Sequence, residues 1–294
     1  MSGPATPSSY GPDWSASLRR APEADLRAWL ELGHAACDAA DAIARTYFRR
    51  DVVVERKPDR TYVTAADREI ELAIRSRIQE AFPDHGLVGE EYGEESGRAR
   101  VRWIIDPIDA THNFMRGVPL FGTILAVQVD GEIQAGLLSM PAMRARWWAA
   151  RGQGAWVRDA DGERRLAVSR VSEIADAQLL HSAGAQVDRG LMPGLDATLA
   201  AAWRDRGFGD LWGYALVAEG AAEAMFETHL SDWDAAGPQV IVEEAGGRAT
   251  NLAGERRLGG SSFVTSNGVL HDELLRRLTA RHRRPRPTRQ SGAA

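Results

Sequence analysis

A chain of 294 residues, 44% hydrophobic and 26% charged, has the composition of a globular protein with an ample core and the length of one large or two medium domains. Its 36 basic and 41 acidic residues leave a formal net charge of −5, which argues against a nucleic-acid-binding surface, because such surfaces carry a basic excess. A single cysteine, Cys37, excludes an intrachain disulfide. No window approaches the ~20 apolar residues of a membrane span and no secretory signal opens the chain, so cytoplasmic residence is expected.

Residues 1–22 are rich in Ser, Pro, Gly and Ala and are expected to be disordered. From Ala24 to Phe48, Leu26, Leu30, Ala36, Ala40, Ile43, Ala44 and Tyr47 recur at helical spacing. A second helix fits Arg68 to Phe82, with Ile70, Ile74 and Ile78 on one face, Asp67 at the cap and Pro83 and Gly86 as stops. Strand-like runs follow at Arg102–Asp106, Thr123–Asp130, Ile133–Ser139 and Arg146–Ala149, with Asp130-Gly131 as a hairpin signal. Trp147 and Trp148 fall in a strand, one expected in the core and its neighbour facing the other way. Arg151 to Ala155 reads as a hairpin, not a phosphate-cradling loop.

Past Gly162 strands and helices alternate. Ala177–Ser182, Ala222–Glu227 and Ser261–Thr265 read as strands, and Met192–Asp205, Trp212–Glu219, Asp234–Ala245 and Leu270–Arg281 as helices. Two halves result: residues 23–160, an antiparallel sheet with two helices, and residues 161–281, an α/β unit. Residues 282–294 form a basic tail expected to be disordered.

Four segments carry chemistry together: Lys57 to Asp67; Gly89-Glu90-Glu91; Asp106-Pro107-Ile108-Asp109-Ala110-Thr111; and Trp233-Asp234. The third places two carboxylates where an apolar strand ends, a costly arrangement away from water unless a cation lies between them. Hard divalent cations such as Mg²⁺ prefer oxygen ligands of this kind. Three acidic clusters at the edges of ordered elements suggest a multi-metal site for phosphate chemistry.

In this order and at this spacing the four segments resemble the inositol monophosphatase family, Mg²⁺-dependent, lithium-sensitive phosphatases related to fructose-1,6-bisphosphatase. The resemblance runs from about Leu26 to Leu275 and implies an αβαβα layered sandwich, of mixed α+β and α/β character, and a homodimer. It implies that Glu90, Asp106 and the Ile108 carbonyl hold one Mg²⁺, that Asp106, Asp109 and Asp234 hold a second, and that a third, weaker ion rests near Glu90. It assigns activation of the attacking water to Thr111 and Asp67, with Glu90 beside them. Backbone N–H groups after Asp109, at Ala110 and Thr111, would bind the phosphate, and no phosphoenzyme is expected. The family carries glycine where this chain has Ala110. A methyl group there threatens to crowd the phosphate or to demand a negative φ, and a tolerated variation is expected.

Asn113 to Pro119 and Gly209 to Gly220 resemble the branch that hydrolyses histidinol phosphate. That ester carries an ammonium and an imidazole, so its pocket should offer carboxylates, and Asp210 and Glu227 are the candidates. Asp210 reads equally well as a helix cap. Arg116 is placed against the phosphate or a partner subunit. Inositol-1-phosphate is the second substrate considered, nucleotide-derived 3′-phosphates or sugar phosphates the third, and a non-catalytic binding module is the rival class. His34, His85, His181, His229 and His271 are scattered without metal spacing and read as core or surface residues, whereas His112 sits beside Thr111.

Overall fold

The structure is a computed structural model and describes residues 19–58, 61–182, 187–258 and 260–280. The expectations for residues 1–18 and for the tail from Arg281 lie outside the described residues. Residues 19–22 do not fit the disordered segment assigned to them. Gln134 Nε2 donates to the Arg19 carbonyl at 2.9 Å and Ala21 N–H donates to Gln134 Oε1 at 3.0 Å, which straps this stretch to the fold.

Helix α1 (Glu23–Tyr47) buries Leu26, Trp29, Gly33, Ala36, Cys37, Ala40 and Ala44, a stripe at three- and four-residue spacing. A hairpin of β1 (Val54–Arg56) and β2 (Tyr62–Thr64) leads into α2 (Ala65–Ala81), whose Ala66, Ile70, Ile74 and Ile78 face the same core. The helix starts earlier than its apolar spacing suggests. Thr64 is the N-cap and Asp67 is the third helical residue of a capping box, so Asp67 is not itself the cap.

An eight-stranded sheet lies under these helices. Its strands are β3 (Gly86–Gly89), β4 (Gly93–Glu95), β5 (Val101–Asp109), β6 (Gly122–Val129), β7 (Glu132–Met140), β8 (Ala145–Ala150), β9 (Gly154–Asp159) and β10 (Gly162–Arg165), in the order β10-β9-β8-β7-β6-β5-β3-β4. All neighbours run antiparallel except β3 and β5. The first sheet therefore runs on to Arg165. Asp130 and Gly131, at φ 51° and 89°, make the two-residue β6–β7 turn, as their sequence suggests.

The second half contains β11 (Gln178–His181), α4 (Leu195–Ala201), β12 (Arg204–Arg206), α5 (Asp210–Ala218), β13 (Ala224–Thr228), α6 (Asp232–Glu244), β14 (Arg248–Thr250), β15 (Ser262–Ser266) and α7 (His271–Thr279). Its five-stranded sheet has the order β12-β11-β13-β15-β14 and mixes parallel with antiparallel pairs. The helix expected over Met192–Asp205 is shorter. It ends at Ala201, and Arg204–Arg206 pair in parallel with β11 as an edge strand.

Three apolar cores define five layers. One joins α1 and α2 to the large sheet, a second joins the other face of that sheet through α5 and α6 to the small sheet, and a third joins the small sheet to α4 and α7. This is the expected αβαβα sandwich. A sheet covered on both faces buries both sides of its strands, and so Trp147 and Trp148 lie in opposite cores, both buried. Contact between α6 and the sheet rests on two glycines. A Cβ built at Gly136 would come within 3.0 Å of Gly237 Cα, and one at Gly237 within 2.7 Å of the Ile124 side chain. No helix among the described residues is long and apolar enough to cross a membrane.

Candidate active site

Strand β5 loses register with β6 between Asp106, opposite Ile124, and Asp109, opposite Gly122. Such a bulge redirects side chains at the end of a strand. Thr123 Oγ1 pins the bulge by donating to the Pro107 carbonyl at 2.8 Å. The first turn of α6 brings Asp234 to the same point, so that Asp106, Asp109 and Asp234 each offer an oxygen within 4.8 Å of the others. Two of these acids are anchored by a helix start: Asp109 Oδ2 accepts the Leu211 N–H of α5 at 2.6 Å, and Asp234 Oδ2 accepts the Ser231 N–H at 2.6 Å. The buried Asp106 Oδ1 has no hydrogen-bond donor among the described residues.

Burial, then the negative charges of Glu90, Asp109 and Asp234, hold the Asp106 carboxyl well above the usual range. Burial and the neighbouring Asp210 and Asp234 do the same to Asp109, and burial pushes Asp234 up to about 7. Such a group resists ionisation until a cation enters. An unpartnered buried oxygen within an all-oxygen donor set is the chemistry of a hard divalent ion, and the cluster can hold a metal.

Glu90 follows β3. Its Oε1 accepts from Lys57 Nζ at 2.8 Å, and the same ammonium reaches Glu91 Oε1 at 2.6 Å. Beneath this turn lies a residue that sequence reasoning passed over. Glu71, fully buried on α2, accepts the Glu91 and Tyr92 N–H groups at 2.7 and 3.2 Å and Arg75 Nε at 2.8 Å. Gly89 has no room for a Cβ because the Glu71 carboxylate occupies that space. In the sequence Glu71 and Arg75 look like one more i,i+4 surface pair.

Asp67 accepts from Thr64 N–H at 2.8 Å and Thr64 Oγ1 at 2.5 Å, and its Oδ1 lies 3.4 Å from Thr111 Oγ1. Burial pushes its carboxyl up to about 6. Thr111 Oγ1 also donates to the Ile108 carbonyl at 3.0 Å. Ala110 caps the short α3 (Thr111–Met115) at φ 64°. The negative φ expected from its methyl group is therefore not adopted; alanine takes the left-handed conformation, at a cost of about 1 kcal/mol. Ile108, Ala110, Thr111 and His112 line a cavity of about 340 Å³ together with Glu90, Asp106, Asp109, Asp210 and Asp234. Arg116 is exposed at the end of α3 and lines neither this cavity nor the next.

A second cavity, of about 550 Å³, shares Asp109, Asp210 and Asp234 with the first. Asp210 is the first residue of α5, Gly209 is the N-cap, and no side chain caps the helix, so the capping role for Asp210 is excluded. Its N–H donates instead to Glu227 Oε1 at 3.3 Å, and burial pushes its own carboxyl up to about 8. Glu227 is held by Ser182 Oγ at 2.8 Å and Tyr214 Oη at 2.6 Å. Asp188 and His229 also line this cavity, and sequence reasoning singled out neither for the site. No lysine or arginine is among the described residues lining either cavity.

A family model described as the inositol monophosphatase family matches residues 25–284. The histidinol-phosphatase of Mycobacterium tuberculosis is 43% identical over 255 residues, covering 85% of this chain and 98% of that protein. The histidinol-phosphatase of Streptomyces coelicolor is 41% identical, covering 86% and 97%. Among solved structures, the extragenic suppressor protein suhB from Bartonella henselae superposes with a TM-score of 0.79 at 29% identity, covering 85% of this chain and 98% of that one. The chain belongs to the inositol monophosphatase family.

Proposed function

We propose that this protein is an Mg²⁺-dependent phosphomonoesterase that hydrolyses histidinol phosphate. The observation that carries the reading is a cavity lined by acids and continuous with a carboxylate cluster that has no lysine or arginine among the described residues lining it. Asp106, Asp109 and Asp234, with Glu90 and the Ile108 carbonyl beside them, are the residues that would hold the metal. When bound, Mg²⁺ supplies Lewis-acid activation of both ester and water and neutralises the acids.

The remaining steps belong to the chain itself. Thr111 Oγ1 and Asp67 form a proton-accepting pair, and a carboxyl at about 6 is poised to take a proton near neutral pH. The N–H groups that open α3 precede its first internal hydrogen bond and belong to residues that line the metal cavity, where they suit a phosphate oxygen. Asp210 and Glu227 then meet the part of the substrate next to the phosphate. An ammonium group beside them favours their ionised forms, whereas an inositol ring offers only neutral hydroxyls.

Relatives that carry the printed activity histidinol-phosphatase support the same choice. Lithium inhibition, a homodimer and cytoplasmic residence belong to the proposal through the family resemblance, and light scattering after size exclusion tests the dimer. The decisive assay measures phosphate release from L-histidinol phosphate and inositol-1-phosphate with and without Mg²⁺. Faster, Mg²⁺-dependent release from histidinol phosphate is expected. A preference for inositol-1-phosphate would replace the substrate, and no release from any ester would favour a binding module.

A further inference from the structure

The larger cavity extends past Asp210 and Glu227 to a wall formed by Val187, Asp188, Thr228, His229 and Leu230. Asp188 is fixed there. Its N–H donates to Thr228 Oγ1 at 2.9 Å, and its Oδ1 accepts the N–H groups of Gly190 at 2.6 Å and Leu191 at 3.3 Å. With Oδ1 committed to the backbone, Oδ2 points in one direction, where its partner is His229 Nε2 at the long distance of 3.4 Å. The backbone of His229 is also held in place, while its side chain is 61% exposed: its φ is 61°, a conformation that non-glycine residues adopt only when the surroundings impose it, and its N–H donates to the Ser261 carbonyl at 2.9 Å.

A phosphate belongs at the metal cluster, in the part of the cavity lined by Asp109, Asp210 and Asp234 that is shared with the smaller one. Asp188 and His229 line the larger cavity alone and therefore face a part of the substrate away from the phosphate. The wall combines an oriented acceptor with the apolar flanks of Val187 and Leu230. That combination suits a flat ring with an N–H and serves a polyol poorly, because a polyol carries hydroxyls on every side.

We propose that Asp188, steadied by His229, accepts an N–H from the heteroaromatic ring of the substrate and so selects ring-bearing amino-alcohol phosphates over ring-less ones. This inference rests on the reading of the cavity as the site of an aminoalkyl phosphate. Asp188→Asn tests it, because the amide oxygen preserves the turn at Gly190 and Leu191 while the charge is lost. The substrates are L-histidinol phosphate and the phosphate ester of 2-amino-1-propanol, which has the same amine and no ring.

The ratio of kcat/KM for the ring-bearing ester to that for the ring-less ester should fall by about tenfold or more, chiefly through the KM of histidinol phosphate, as loss of a charged acceptor implies. Turnover of the ring-less ester reports that the variant is folded. A ratio that does not change would overturn the role of Asp188, as would a wild-type enzyme that prefers amine-bearing esters but does not distinguish the two. A wild-type enzyme that prefers inositol-1-phosphate to both would instead remove the underlying reading, and this inference with it.

Discussion

Helix α6 carries desolvated acids at both ends, Asp234 half-buried and Glu243 buried, and treats them in opposite ways. Near its C-terminus Glu243, with no exposed side-chain surface, is gripped by Arg151 and by Arg256, whose Nε and Nη2 lie 2.8 and 3.0 Å from the two carboxylate oxygens. Arg256 also reaches Glu132 at 2.6 Å, and the adjacent Glu244 accepts the N–H groups of Gly152 and Gly154, each at 3.0 Å. At the N-terminus Asp234 meets Asp106 and Asp109, and among the described residues no arginine or lysine lines the cavities they share. A buried charge is tolerated when it is paired. The fold supplies the partner for its structural acids and leaves the partner of the second group to come from solution.

Mutations sharpen this contrast. The largest effect is expected at Asp106. Asp106→Asn should lower kcat by about a thousandfold or more by removing the ligand between the other two acids. In divalent-free buffer it should leave the protein at least as stable as wild type, because it relieves like-charge crowding. Activity within tenfold of wild type would remove the metal scheme. Glu243→Ala should do the reverse, costing about 3–5 kcal/mol in urea unfolding by removing the carboxylate that two buried guanidinium groups share. Activity per folded molecule should persist.

A third buried group tests the pairing rule with a base. His271 bonds Thr250 Oγ1 and Ser266 Oγ, each at 2.8 Å, and burial lowers its pKa to about 3. The unfolded chain binds the proton first, so stability is fully present above about pH 6.5 and falls as pH drops toward 3, by up to about 1.4 kcal/mol per unit. Urea midpoints between pH 7 and pH 4 check the slope, and His271→Asn should flatten it. Next comes Glu71→Gln, which loosens the turn that aims Glu90. About a tenfold loss of Mg²⁺ affinity is expected by calorimetry, the size usual for residues that orient a ligand. Smallest is Ala110→Gly, which should raise stability by about 1 kcal/mol or less by accepting φ 64° without a Cβ.

Much of this was legible before the fold was known, and the reasons are local. Long, strongly periodic segments such as α1, α2 and the β5–β8 strands announce themselves through spacing. The acids at Asp106 and Asp109 stand out because charge at the end of an apolar run needs an explanation, and Asp234 because it falls at the start of a helix beside Trp233. Short elements escaped. Gly154–Asp159 and Arg248–Thr250 lack length or apolar pattern, and Arg204–Arg206 becomes a strand only through its pairing with β11. Glu71 was hidden for a different reason: its partners are backbone N–H groups twenty residues away, for which no residue type codes. His229 and Asp188 were invisible as a pair because tertiary structure alone brings them together. Ala110 shows the limit of propensity, since its neighbours impose a conformation that alanine does not favour by itself.

The most direct test of the unpaired-acid account is calorimetric titration of Mg²⁺ into the divalent-free protein, repeated on Asp106→Asn. Saturable binding by wild type that is lost in the variant is expected. Absence of binding by wild type, or equal binding by both proteins, would contradict the assignment of this carboxylate cluster to a metal.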